Sequence, residues 1–176
     1  MHRPLFYSSN RRNEDIMQDV KNNNPVILAV LTVVLIILLR TAWIGDDAAI
    51  TLRSVLNFIN GYGPTFNIDE RVQAFTHPLW FLLISLVSLI TGNVFVSTFL
   101  LSIAISLFVI WLLLTTIASN FQYGILAVTV LILSKAYIDF STSGLENPLS
   151  HLLIVSCVIF GFKSIDREEI KVVLKK

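Results

Sequence analysis

Long apolar runs separated by short polar breaks make up most of this chain, and the run lengths predict its elements. Residues 1–24 (MHRPLFYSSNRRNEDIMQDVKNNN) are polar, carry Arg3, Arg11, Arg12 and Lys21, and show no apolar periodicity, which predicts a cytoplasmic tail. From Pro25 to Leu39 the sequence is almost purely aliphatic. Extended to Trp43 it is long enough to span, because a helix needs about 20 residues to cross roughly 30 Å of hydrocarbon. A signal peptide is the competing reading of this run, but the basic region before it is long and RTAWIGDD offers no small-x-small cleavage site.

Further long apolar runs lie at 94–118 and 121–138, with a last, shorter span at 149–162, whereas the run at 79–90 has only 12 residues. Runs of about that length are more often interfacial or re-entrant than spanning. The last segment, 163–176 (KSIDREEIKVVLKK), carries Lys163, Arg167, Lys171, Lys175 and Lys176 and reads as a basic cytoplasmic tail. With both ends inside, the number of spans is even. The expectation is therefore an all-α, polytopic membrane protein with four spans, at about 25–43, 94–118, 121–138 and 148–162, and a helix after Pro78 that dips into the outer leaflet. Under this topology a long first external loop, 44–93, and a second one, 137–148, face the same side, where they can build one site together. A five-span topology puts them on opposite faces.

Inside the first loop, DDAAITLRSVLNFING has Ala49, Leu52, Val55, Leu56 and Ile59 at three- and four-residue steps and closes on Asn60-Gly61, which predicts a short amphipathic helix lying on the membrane surface. Asp46 and Asp47 stand at its positive end, and Arg53 falls two turns after Asp46 on the same face, near lipid phosphates. Trp43, Tyr62, Trp80 and Tyr137 fall where an interfacial aromatic belt is expected.

Composition agrees with the run pattern. The chain is 55% hydrophobic and 14% charged, and its mean hydropathy of +0.74 lies outside the range of a soluble domain. A net charge of +1 gives no reason to expect nucleic acid as a partner. Cys157 is the single cysteine, so an intramolecular disulfide is excluded. No span carries a mid-membrane charge of the kind that marks an ion path, Lys135 being near an end, which argues against a transporter.

Paired carboxylates at a membrane surface can hold a divalent cation, deprotonate a hydroxyl, or simply cap a helix. By themselves, His77-Pro78 and Glu146 before Pro148 read equally as helix-start signals, and His151 as packing.

Taken together, WIGDDAAITLRSVLNFINGYGPTFNIDERVQAFTHPLW (43–80) and TSGLENPL (142–149) resemble the corresponding motifs of GT-C-fold, polyprenyl-phosphate-dependent glycosyltransferases, the group that includes terminal arabinofuranosyltransferases of mycobacterial cell walls. The pattern is met at Asp46, Asp47, Arg53, Asn57, Gly61, Gly63, Phe66, Asn67, Glu70, Arg71, Trp80 and Gly144, among others, and departs at Ile68-Asp69, Gln73, Ala74, Phe75 and His77. The resemblance implies an enzyme that transfers a sugar from a polyprenyl-phosphate donor to a cell-envelope acceptor on the outer face of the bacterial cytoplasmic membrane. Asp46 or Asp47 would be its base, with a divalent cation (Mg or Mn) at the same pair in members that use one. From their placement, Arg53, Arg71 and His77 are candidates for the lipid phosphate, and Ser143 and Glu146 for sugar hydroxyls. Members of the family carry further spans and a soluble C-terminal part. The chain is thus expected to correspond to an N-terminal module, too short for independent activity, whose partners are membrane lipids, the lipid-linked sugar and a separate chain supplying the missing helices. The non-enzymatic alternative is a membrane scaffold or regulatory subunit that keeps the loop for binding a lipid phosphate.

Overall fold

The computed structural model describes residues 23–70, 72, 74–118 and 120–174; residues 1–22 of the expected N-terminal tail and Arg71 lie outside the described residues. Among these residues the protein is all-α: α1 (Asn24–Thr41), α2 (Asp46–Ile59), α3 (Pro78–Thr91), α4 (Val94–Leu112), α5 (Phe121–Leu133), α6 (Lys135–Ser141) and α7 (Asn147–Leu174), with a π-helical turn Leu113–Ile117 prolonging α4. Local sequence accounts for most of the boundaries. Proline occupies the first turn of α1 and of α3, where its missing N–H costs nothing. Asn93 caps α4 by accepting from the Phe95 and Val96 N–H groups at 2.9 and 3.1 Å, and Asn120 caps α5 through the Tyr123 N–H at 3.0 Å. Gly92, at φ 70°, ends α3 in the left-handed conformation.

Two helices are long and apolar enough to cross a membrane, Asn24–Thr41 with 18 residues and Val94–Ile117 with 24. The expected span at 121–138 is present as a helix pair, α5 and α6, that is apolar enough to cross when taken together but is bent by 78° at Ser134. Ser134 leaves the helical conformation, and its Oγ accepts from the Tyr137 N–H at 3.4 Å, so its side chain starts a new helix instead of continuing the old one. Helix α6 also takes up part of the expected second loop, leaving 142–146 between α6 and α7. Helix α7 does not stop near 162 but runs on to Leu174. Helix α3, at 14 residues, is roughly 21 Å long, less than the hydrocarbon thickness.

Helix α4 is the hub, packing against α1, α2, α3, α6 and α7. Its buried face carries Thr98, Ser102 and Ser106 at four-residue steps, and such small residues let helix backbones approach closely where lipid supplies no hydrophobic drive. One core joins Val34 and Leu38 of α1 to Ile110, Leu114, Val128 and Ile138. A second joins Leu52 and Val55 of α2 to Trp80, Phe81 and Ile84 of α3 and to Val94. The outer faces of α1 and α5 stay apolar and exposed, at Leu28, Val33 and Leu39 and at Leu126, Val130 and Leu133, the mark of helices solvated by lipid.

The expected aromatic belt is corrected at two of its four members. Trp43 and Tyr62 are exposed, but Trp80 and Tyr137 are buried among the helices. The indole N–H of Trp80 has a protein acceptor inside, so it needs no interfacial water, and the Tyr137 ring packs 5.1 Å from that of His151.

Candidate functional site

Neither aspartate is the N-cap of α2. That position belongs to Gly45, which leaves Asp46 and Asp47 in the first turn, where the exposed N–H end of the helix favours anions. At the other end, Gly61 (φ 85°) and a 2.9 Å bond from the Tyr62 N–H to the Asn57 carbonyl stop the helix in a left-handed turn. The loop that follows is folded back onto α2. Asn57 donates through Nδ2 to the Thr65 and Phe66 carbonyls at 2.9 and 3.0 Å. Arg53 stacks over the Phe66 ring at 4.4 Å and donates from Nη2 to Asn67 Oδ1 at 3.3 Å, while Asn67 Nδ2 donates to Glu70 Oε2 at 3.0 Å. Replacing Asn57 by Leu removes both of its carbonyl bonds and is expected to cost about 2 kcal/mol. Limited proteolysis should then cut the 62–70 segment faster than in wild type while the helices stay protected.

Three bonds fasten the first loop to the segment before α7. The Gly45 N–H donates to the Ser143 carbonyl at 2.9 Å. Trp80 Nε1 donates to the Gly144 carbonyl at 2.9 Å, in the interior. His77 Nε2 meets Glu146 Oε1 at 2.8 Å. Gly144 makes this approach feasible: its φ is +86°, and a Cβ there would lie 2.8 Å from the Ala48 Cβ and 3.1 Å from Ile44 Cδ1.

The consequence is a cleft of about 630 Å³ lined by Asp47, Ile50, Thr51, Ala74, Phe75, Thr76, Leu145 and Glu146. Its far wall is braced by Phe75, stacked on Phe81 with ring centroids 4.2 Å apart. Carboxylates from the two motifs thus face one space, with the Thr51 and Thr76 side chains beside them and an aromatic surface along one side. That arrangement can accept hydrogen bonds from neighbouring hydroxyls and take a proton from one of them.

The other candidates fall elsewhere. Asp46 is exposed and does not line the cleft. Ser143 is 1% exposed and donates to the Phe140 carbonyl at 3.3 Å, so its hydroxyl serves the turn. His77 is engaged with Glu146, and Arg53 with Phe66 and Asn67. Among the described residues no group of three His, Cys, Asp or Glu side chains is placed to hold a metal ion. Trp80 and Gly144 matched the motifs without their role being legible, because the bond that joins them spans 64 positions, and nothing marked Thr51 or Phe75 as lining a cleft.

No protein-family profile matches the chain, and no solved structure matches it. Two curated proteins do, both terminal beta-(1->2)-arabinofuranosyltransferases. The one from Corynebacterium glutamicum is 53% identical over 49 residues, 28% of this chain and 7% of that protein. The one from Mycobacterium tuberculosis is 33% identical over 118 residues, 61% of this chain and 19% of that protein. The chain therefore spans less than a fifth of the length of either relative, and over those stretches it is similar to terminal beta-(1->2)-arabinofuranosyltransferases.

Proposed function

We propose that the cleft is the acceptor site of a membrane glycosyltransferase, with Asp47 as general base. The observation that carries this reading is the convergence of Asp47 and Glu146, from two separate motifs, on one cleft beside a membrane-type helix group. Similarity to arabinofuranosyltransferases supports a sugar, and specifically an arabinofuranosyl group, as the unit transferred. A carbohydrate hydroxyl is far too weak an acid to ionise at neutral pH. In the proposed step the hydroxyl proton passes to the Asp47 carboxylate as the oxygen attacks the anomeric carbon, and the bond from that carbon to the phosphate oxygen breaks with its electron pair leaving on the phosphate. Glu146 accepts from a second hydroxyl and fixes the ring. Arg53 uses one N–H on Asn67, and its remaining donors suit the phosphate of a polyprenyl-phosphate donor. Further helices, outside this chain, complete the donor groove. No step is assigned to a metal ion.

In this reading the protein is a multi-pass protein of the bacterial cytoplasmic membrane, the cleft opening outward toward a cell-envelope acceptor. Contact between the 44–80 and 143–146 segments supports the topology that keeps both loops on one face. Single cysteines at Tyr62, Asn93 and Phe140, all exposed, in a Cys157→Ala background should all react with an impermeant maleimide in intact cells. If Phe140→Cys reacts only after permeabilisation, the two loops lie on opposite faces and the shared site is lost. The function itself is tested by Asp47→Asn, which a non-catalytic scaffold would tolerate.

A further inference from the structure

The geometry points to His77 as a positioning residue that holds the Glu146 carboxylate toward the cleft, a role distinct from contact with a lipid phosphate and one that deepens the acceptor-site reading on which its functional half rests. His77 is the N-cap residue of α3, yet its side chain makes no capping bond to its own helix; it reaches across to Glu146 Oε1 at 2.8 Å. Glu146 holds the matching position before α7, its carbonyl accepting from the Ser150 N–H at 3.0 Å. Two helix starts are thus joined by their side chains, and the negative partner sits at the N–H end of α7, where an anion is favoured.

The pair is not needed to bring the segments together. Backbone and indole bonds already do that, from Gly45 to Ser143 and from Trp80 to Gly144. With side-chain exposures of 52% for His77 and 22% for Glu146, the pair itself adds little to folding. What it does is select a rotamer. Glu146 lines the cleft, and with Oε1 held by the imidazole, Oε2 is the oxygen left for a ligand hydroxyl. An imidazole that carries a proton on Nε2 donates this bond.

Carbodiimide labelling of carboxylates, mapped by mass spectrometry on the full chain in detergent, tests this directly. Glu146 should label up to about fivefold faster in His77→Ala than in wild type, the ratio a partly exposed pair supports, and return toward the wild-type rate in His77→Gln, which keeps an N–H donor. Asp69, exposed and outside the cleft, serves as the internal reference. Equal Glu146 labelling in wild type and His77→Ala, with melting unchanged, overturns the pairing. Repeating the measurement with methyl α-D-arabinofuranoside separates the two readings. Protection of Glu146 in wild type and in His77→Gln but not in His77→Ala is the result expected of a positioning residue. Protection that persists in His77→Ala overturns that role. A sugar that protects none of the three overturns the acceptor-site reading, and the pairing is then judged by the labelling ratio alone.

Discussion

Asp47→Asn is expected to lower sugar transfer by about two to four orders of magnitude, the contribution of a positioned general base, while Asp46→Asn retains most of it. The measurement is transfer from a polyprenyl-phosphate-linked arabinofuranose to an acceptor glycan in membranes that contain the chain together with the helices that complete the donor groove. Asparagine has the shape of aspartate and can still hydrogen-bond a hydroxyl, but it cannot take its proton, so the loss should appear in kcat far more than in KM. The two positions differ because Asp47 lines the cleft and Asp46 does not. Both are exposed at the start of α2, so the substitutions should leave the fold intact, and a melting curve checks that. Equal activity of Asp47→Asn and wild type would remove the base and favour a binding scaffold. The reverse ranking, with Asp46 essential, would move the reacting centre off this cleft.

The largest structural effect is expected at Gly144. An alanine there must adopt a φ of +86° and place its Cβ 2.8 Å from the Ala48 Cβ, in the first turn of α2. Backbone strain and the forced shift together should cost about 3 kcal/mol. Because Ala48 is next to Asp47, the same shift widens the gap between Asp47 and Glu146, so activity should fall further than melting alone explains. Trp80→Phe provides the comparison. It keeps most of the ring but deletes the N–H that bonds the Gly144 carbonyl, at an expected cost of about 1 to 3 kcal/mol. A Gly144→Ala protein that melts with wild type would show that α2 and the 142–146 segment do not approach as closely as described.

The contrast with the other positive-φ glycines is instructive. Gly61, Gly63 and Gly92 have nothing within 4 Å of where a Cβ would stand. Their conformations are demanded by local turns, and a local signal such as Asn60-Gly61 is enough to suggest them. Gly144 answers to a helix begun nearly a hundred residues earlier, and no pattern around it encodes that distance.

The same division runs through the helices. Apolar run length located α1 and α4, since crossing hydrocarbon sets a length that composition alone can meet. The start of α2 and its closing turn were legible because first-turn acids and a terminal glycine act within one turn of chain. The break at Ser134 was not drawn from the sequence, although Ser134-Lys135 interrupts the apolar run there, and the Ser134 hydroxyl accepts from the Tyr137 N–H where the new helix starts. Trp80 and Tyr137 read as interfacial from residue type, since an aromatic ring with one polar atom suits either a membrane boundary or an interior acceptor, and only packing supplied the acceptor for Trp80.

By itself, then, the sequence determined an all-helical membrane chain, the helix that Asp46 and Asp47 begin, and the pair of motifs from which a site would be drawn. Tertiary structure decided which of those residues meet. Adjacent residues on a helix point about 100° apart, so the choice between Asp46 and Asp47 depends on how α2 is rotated, and that rotation is set by Leu52 and Val55 packing against Trp80, Phe81 and Ile84. Whether His77 reaches a phosphate or Glu146 depends on how closely α3 and α7 start, and that is set by a buried indole bond and a glycine without a side chain. Periodicity and capping are short-range, whereas the cleft is built from contacts between segments that the chain itself keeps far apart.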